Sequence, residues 1–317
     1  MTLLVASLVA FLLVLNRQPI LDQLAIWQFH PSSEIVSITQ RTGMSTAGIA
    51  TFYESQPALE SNQDFNSKCA RQEQSTAILG CYTGSHIYIY NVTDPKIDGI
   101  REVTAAHEML HAAYARMSDT ERTQVNALLE AEYAKLKDNK DFAERMAFYA
   151  RTEPGERDNE FHSIIGTEVA SISPALEAHY KKYFDDRSKV VQLHTQYSSV
   201  FNDLQSRSQQ LSDQLTTLGD TIEKSSASYN VNVIQLNKDI VAFNARANNN
   251  GFSSQADFQR ERAALVARAA QLDTQRSTIN DDVATYNKLR QELASIASQS
   301  DALNRSIDSS LAPAPSL

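Results

Sequence analysis

The sequence predicts a mainly α-helical protein with a small β-hairpin or sheet, built as a helical domain to about Asp185 and then a long antiparallel coiled-coil hairpin. Three observations carry that reading. Only 9 glycines and 8 prolines occur in 317 residues, so few positions force a helix to stop. Ile87, Tyr88, Ile89 and Tyr90 alternate in a β-rich run behind a Thr83-Gly84 turn, the pattern of a hairpin. From Leu211 onward the apolar residues recur four and three apart in a sparse seam.

Taken in order, the chain opens on the uncharged run Leu3 to Leu15, just short of the length that spans a bilayer. This predicts residues 1–18 as a membrane anchor or signal segment, with the following domain extracytoplasmic, or secreted if the segment is cleaved. No small-x-small cleavage site follows, which favours an uncleaved anchor, although Arg17 on its far side points to the opposite orientation. Residues 20–66 read as two or three short helices. Cys69 and Cys81 are the only cysteines, and so close a pair in an exported chain predicts a disulfide. Residues 77–92 form the predicted hairpin, a sheet edge on which an extended substrate could lie. Residues 91–99, with Asp94-Pro95, read as a turn.

Residues 103–116, VTAAHEMLHAAYAR, are strongly helical, being rich in alanine and free of Gly and Pro. They hold His107, Glu108 and His111 in the order H-E-x-x-H. Positions four apart lie one turn above each other, so both imidazoles can reach one cation while Glu108 reaches its bound water. That pattern is the core of a zinc hydrolase site. A catalytic zinc takes three protein ligands and leaves a fourth position for water, so one more ligand is needed.

Downstream, residues 118–137 and 141–150 read as amphipathic helices, residues 151–157 break the pattern at Pro154-Gly155, and a new helix opens at Asp158. It offers Glu160, His162 and Glu168. HEMLH followed by Asn159-Glu160 on a second helix resembles the gluzincins, the thermolysin-like zinc peptidases whose third ligand is a glutamate often written Asn-Glu. The resemblance covers those two helices. It implies a zincin-like domain over residues 19–185 that hydrolyses protein or peptide substrates, with zinc on His107, His111 and Glu160, and Glu108 as general base. Ile164 stands where such enzymes place an acidic residue, and the segment between His111 and Glu160 is longer than in compact members. Glu168, two helical turns on and offset by roughly 80°, is therefore the rival third ligand. His162 points to another face and is a candidate donor to a substrate oxyanion, or else a polar core residue; Tyr180 and Tyr183 are further candidates. The run from NEFHSIIGTE to LEAHYKKYFDDR also resembles uncharacterised membrane-anchored bacterial proteins that pair such a motif with a coiled coil.

In residues 186–310 the seam runs through Leu211, Leu215, Leu218, Ile222, Ser225 and Tyr229. It resumes at Val233, Leu236, Ile240 and Phe243 after a stutter. ARANNNGFSS at 245–254 supplies a turn with Ser253 or Ser254 as helix cap. The second helix places Phe258, Leu265, Ala269, Leu272, Ile279, Val283, Tyr286 and Leu293 on its seam. Such an arm is a surface for a protein partner, so the competing expectation is a non-catalytic cell-envelope scaffold whose coiled coil binds a partner and whose zinc site is structural or inactive; the tail 311–317 reads as disordered. The net charge of -9 without a basic cluster argues against nucleic acid as a partner.

Overall fold

The computed structural model describes residues 17–69, 78–138, 142–143, 146–147, 151 and 155–309. The protein is mainly helical with one small three-stranded sheet, and it divides into two compact units, residues 1–201 with 302–317 and residues 202–301.

The first unit opens with three short helices, α1 (Arg17–Gln28), α2 (Ser33–Arg41) and α3 (Thr46–Glu54). Ser32 and Ser45 cap α2 and α3 by accepting from the backbone N–H groups of Ile35 and Gly48. The described helices do not support the membrane anchor expected from the sequence, nor the membrane-anchored extracytoplasmic placement that followed from it. No helix among the described residues is long and apolar enough to cross a membrane; α1 has 12 residues and carries Asp22, which pairs with Arg116. The apolar run Leu3 to Leu15 itself lies outside the described residues.

Strand β1 (Ala58–Glu60), helix α4 (Asn62–Lys68) and strands β2 (Gly80–Tyr82) and β3 (Ile87–Tyr90) follow. The hairpin is present: β2 and β3 pair antiparallel, with Cys81 opposite Tyr88. Strand β1, which the sequence reading placed among helices, adds to the other side of β3 in parallel, with Leu59 opposite Ile89. The order β1-β3-β2 makes β3 the central strand, so the open edge beside the motif helix belongs to β2. Ile87 and Ile89 are fully buried and turn toward the core. Cys69, just after α4, is joined to Cys81 in β2, so the predicted disulfide ties the helix to that edge strand.

Helix α5 (Ile100–Ala115) is the axis of this unit, buried along most of its length. Gly99 starts it in the left-handed region at φ 97° while lying against Leu193, a combination that a side chain would not tolerate. Buried Glu102 pairs with Arg41, which also holds Asp98 at 2.7 Å and so ties the start of α5 to α2. Helix α6 (Asp119–Leu136) begins with a reciprocal cap between Ser118 and Glu121.

Helix α7 (Arg157–Glu168) packs along α5, and Gly166 permits the approach. A Cβ there would sit 2.3 Å from Leu110 Cδ1 and 2.8 Å from Tyr180 Cε1. The C-terminal carbonyls of α7 are satisfied by buried Arg187, which donates to Ile165, Val169 and Ala170 while pairing with Glu177 of α8 (Pro174–Tyr180). Residues 141, 144–145 and 148–150 of the expected 141–150 helix lie outside the described residues, as does the tail 310–317.

Two long helices, α9 (Ser188–Asn248) and α10 (Gln255–Ile307), supply the second unit. Within it Arg246 pairs with Glu261, Asp239 with Arg268 and Arg207 with Glu292. Numbers falling along one helix as they rise along the other mean antiparallel neighbours. Phe243, Phe252 and Phe258 pack ring to ring near the turn, and Ser254 caps α10 by accepting from Asp257 N. On α9 the covered positions follow the predicted seam, with Leu211, Leu215 and Leu236 buried. On α10 the seam differs. Ala269 and Val283 are exposed, and Arg268 and Asp282 take the partly covered positions beside Leu265, Leu272, Ile279 and Tyr286. Steady steps of three and four fix which positions face the partner helix, whatever residue stands there, and Arg268 is accommodated by its pair with Asp239.

Candidate metal centre

Helix α5 presents His107 and His111 one turn apart, with ring centroids 4.7 Å from each other. Helix α7 brings Glu160 between them. Its Oε1 lies 3.2 Å from His111 Nε2 and its Oε2 lies 3.5 Å from His107 Nε2. One ligand atom from each of the three residues falls within 4.8 Å of the other two, the grouping of His, Cys, Asp and Glu among the described residues that could hold a metal ion. Two imidazole nitrogens and a carboxylate oxygen are the donors that suit zinc, and side-chain exposures of 15%, 10% and 6% leave the cluster sheltered but not sealed.

The ligand orientation is built in. His111 Nδ1 lies 3.0 Å from Asn159 Oδ1, an acceptor, so Nδ1 carries the proton in the neutral ring and Nε2 is the nitrogen left on the Glu160 side, where a metal ion could take its lone pair. Asn159 is itself set by donating from Nδ2 to Glu156 Oε2 at 3.0 Å. The Asn-Glu pair of the sequence thus divides into a residue that orients His111 and a member of the candidate ligand group.

Electrostatics separates the two imidazoles. Burial disfavours a charged His107, but the hydrogen bond and charge of Glu160, with Glu108 and Glu168 behind it, outweigh this and raise its pKa to about 9. Burial lowers the pKa of His111; Glu160 opposes that, and the neighbouring His107 adds to it. A cation bound at this cluster would compete with the proton that Glu160 favours on His107.

Glu108 is buried at 7% exposure where α5 meets β2. Gly80 makes room for it: a Cβ on Gly80 would sit 2.7 Å from Glu108 Oε1 and 2.6 Å from Thr104 Cγ2. In β2 the residues that bond to β3 alternate, with Leu79 accepting from Tyr90 and Thr83 donating to His86. The backbone groups of Gly80 and Tyr82 therefore turn to the open edge, beside Glu108.

The other candidates are placed elsewhere. Glu168 stands outside the ligand group and pairs with His194 of α9 at 3.4 Å. His162, on the opposite face of α7, is completely buried; its Nε2 lies 2.9 Å from His179 Nε2, and its ring lies against Tyr114 and Tyr180. Burial, then the neighbouring His179, holds its pKa well below the usual value, so it is a neutral core histidine. Tyr180 donates to the carbonyl of His162, and Tyr183 is buried at the same cluster, so both are packing residues. Asn159, Gly80 and His194 went unassigned in the sequence. A glycine inside a strand pattern signals a close approach and could have drawn attention to Gly80; His194 carries no local signal.

No known family model, curated protein or solved structure matches this chain.

Proposed function

We propose that this chain is a zinc-dependent peptidase whose site is His107, His111 and Glu160, with Glu108 as general base. The observation that carries the proposal is the convergence of those three side chains from two packed helices, with their ligand atoms within 4.8 Å. The reading matches a zincin-like domain joined to an antiparallel coiled coil, as the cross-helix ion pairs of the second unit support.

Zinc held there would polarise the scissile carbonyl and acidify a water. Glu108, adjacent in sequence to His107, takes the proton from the attacking water and delivers it to the departing amine. Asn159 holds His111 in the ligating tautomer. The outward-turned backbone groups of Gly80 and Tyr82 pair with an extended peptide, which favours a peptide over a compact small molecule. A group of three ligands among the described residues favours a site with room for water over a closed, purely structural one.

The test is metal analysis of the purified chain together with Glu108→Gln. The variant should retain about one zinc per chain while peptide hydrolysis falls by at least about 100-fold, since glutamine keeps the shape but cannot accept the proton. Turnover unchanged in that variant would remove Glu108 from the chemistry, and a wild-type chain that binds no zinc would end the proposal.

A further inference from the structure

The second unit carries an unused apolar seam. On α9 the residues Ala227, Val231, Ile234, Lys238, Val241 and Ala245 follow steps of four, three, four, three and four, and all six are exposed. Val231, Ile234 and Val241 are 64%, 57% and 68% exposed. They lie on the side of α9 turned away from the seam that faces α10, where Leu236 is buried and Val233, Ile240 and Phe243 are partly covered. A solvated helix face is ordinarily charged. Here no charged residue occurs from Ser225 to Asn237, and only Lys238 and Asp239 do so before Arg246. Asp239 is already paired with Arg268 of α10, which leaves Lys238 as the charge on the outer seam.

The order of residues along this face says what fits it. Read about a midpoint at position 236, the seam is nearly its own mirror image: Ala227 matches Ala245, Val231 matches Val241, and Ile234 matches Lys238. We propose that this face binds a second copy of the chain, two α9 helices packing antiparallel about a two-fold axis at position 236. Val231 of each copy meets Val241 of the other, and Ala227 meets Ala245. The Lys238 stem lies along Ile234 with its ammonium in solvent. A parallel pairing would instead stack Lys238 on Lys238 and Lys224 on Lys224. In the antiparallel one Lys224 falls beside Asn248 at the C-terminal end of the other α9, where the helix dipole favours a cation. An isologous interface requires such self-complementarity, and alternating steps of four and three are the repeat that packs one helix on another.

The test is sedimentation of the full chain across a concentration range, with Val231→Glu and Val241→Lys made separately. Wild type should dimerise at micromolar concentration. Each variant alone should weaken the dimer by at least about 30-fold, because a charge then lies on the opposing valine in two symmetry-related contacts. Mixing the two variants should restore dimer. In the mixed pair the introduced carboxylate of one chain would face the introduced ammonium of the other, and the second contact stays valine on valine. Both substitutions are at exposed positions, and circular dichroism should show unchanged helix. A wild-type chain monomeric to about 100 μM would overturn the proposal, whether that face is bare or covered by another protein. Variants that dimerise like wild type would place the interface elsewhere, and a mixture that does not re-form dimer would refute the antiparallel register.

Discussion

Asn159→Ala isolates the part of the proposed metal centre that is not itself a ligand. In the folded protein Asn159 Oδ1 accepts a hydrogen bond from His111 Nδ1 at 3.0 Å, and the amide is itself oriented by donating to Glu156. Removing the amide frees the imidazole to rotate and lets its proton sit on Nε2, the nitrogen that must carry a lone pair for the metal. Losing one orienting hydrogen bond to a ligand histidine costs about 10–100-fold in metal affinity, or roughly 1.4–2.7 kcal/mol. The two controls follow from the geometry. Asn159→Asp keeps an acceptor for Nδ1 but places a second carboxylate beside Glu156, so its loss should be the smaller of the two. Glu168→Ala removes a carboxylate paired with His194 outside the ligand group, so affinity should stay within about threefold of wild type. Zinc affinity measured by competition with a chromogenic chelator reads all three. Wild-type affinity in Asn159→Ala, or a larger loss in Glu168→Ala, would refute the assignment of His111 and its orienting residue.

Three further outcomes are expected. On the proposed function, Gly80→Ala should still bind zinc but lose at least about 10-fold in hydrolysis, because a Cβ 2.7 Å from Glu108 Oε1 must displace the proposed general base; an unchanged rate would show that β2 does not position Glu108. Burial, with the charge of Lys182, lowers the His179 pKa to about 4, against about 6.5 unfolded, so the unfolded chain binds the extra proton first. The stability this contributes is present above pH ~6.5 and is lost as pH falls toward ~4, about 2 kcal/mol for a partly exposed group. Urea titrations at a series of pH values should show that slope and its flattening in His179→Gln; equal slopes would contradict it. Replacing residues 202–301 with a flexible linker of about eight residues should leave a folded, zinc-binding first unit. A truncation at Lys189 should fold poorly, because it removes Leu193 from Gly99, His194 from Glu168 and Ser309 from Asn66. Circular dichroism and metal analysis separate the two, and an insoluble linker variant would show that the second unit is required for the first.

Local chemistry made much of this protein legible in its sequence. The scarcity of Gly and Pro, the alternation at Ile87 to Tyr90 and the 3.5-residue seams gave helices, hairpin and long helix pair, because these patterns depend on neighbours within a turn or two of chain. The spacing of His107 and His111 is likewise a property of one helix, and Cys69 and Cys81 had only each other to pair with. Where the reading failed, contacts distant in sequence decided. Strand β1 is three residues long and exists by pairing with β3. Ala269 and Val283 are apolar but fall out of phase, and Arg268 takes a partly covered position because Asp239 on the other helix receives it. The choice between Glu160 and Glu168 depended on how α7 rolls against α5. Gly166 permits close packing on Leu110, and Arg187 secures the helix end; that roll turns Glu160 toward the two histidines, His162 into the tyrosine cluster and Glu168 toward His194. A sequence states which side chains are able to ligate, accept or pair, whereas the rotation of one helix about its axis is set by the sum of contacts with every element around it, and only the packed structure fixes that angle.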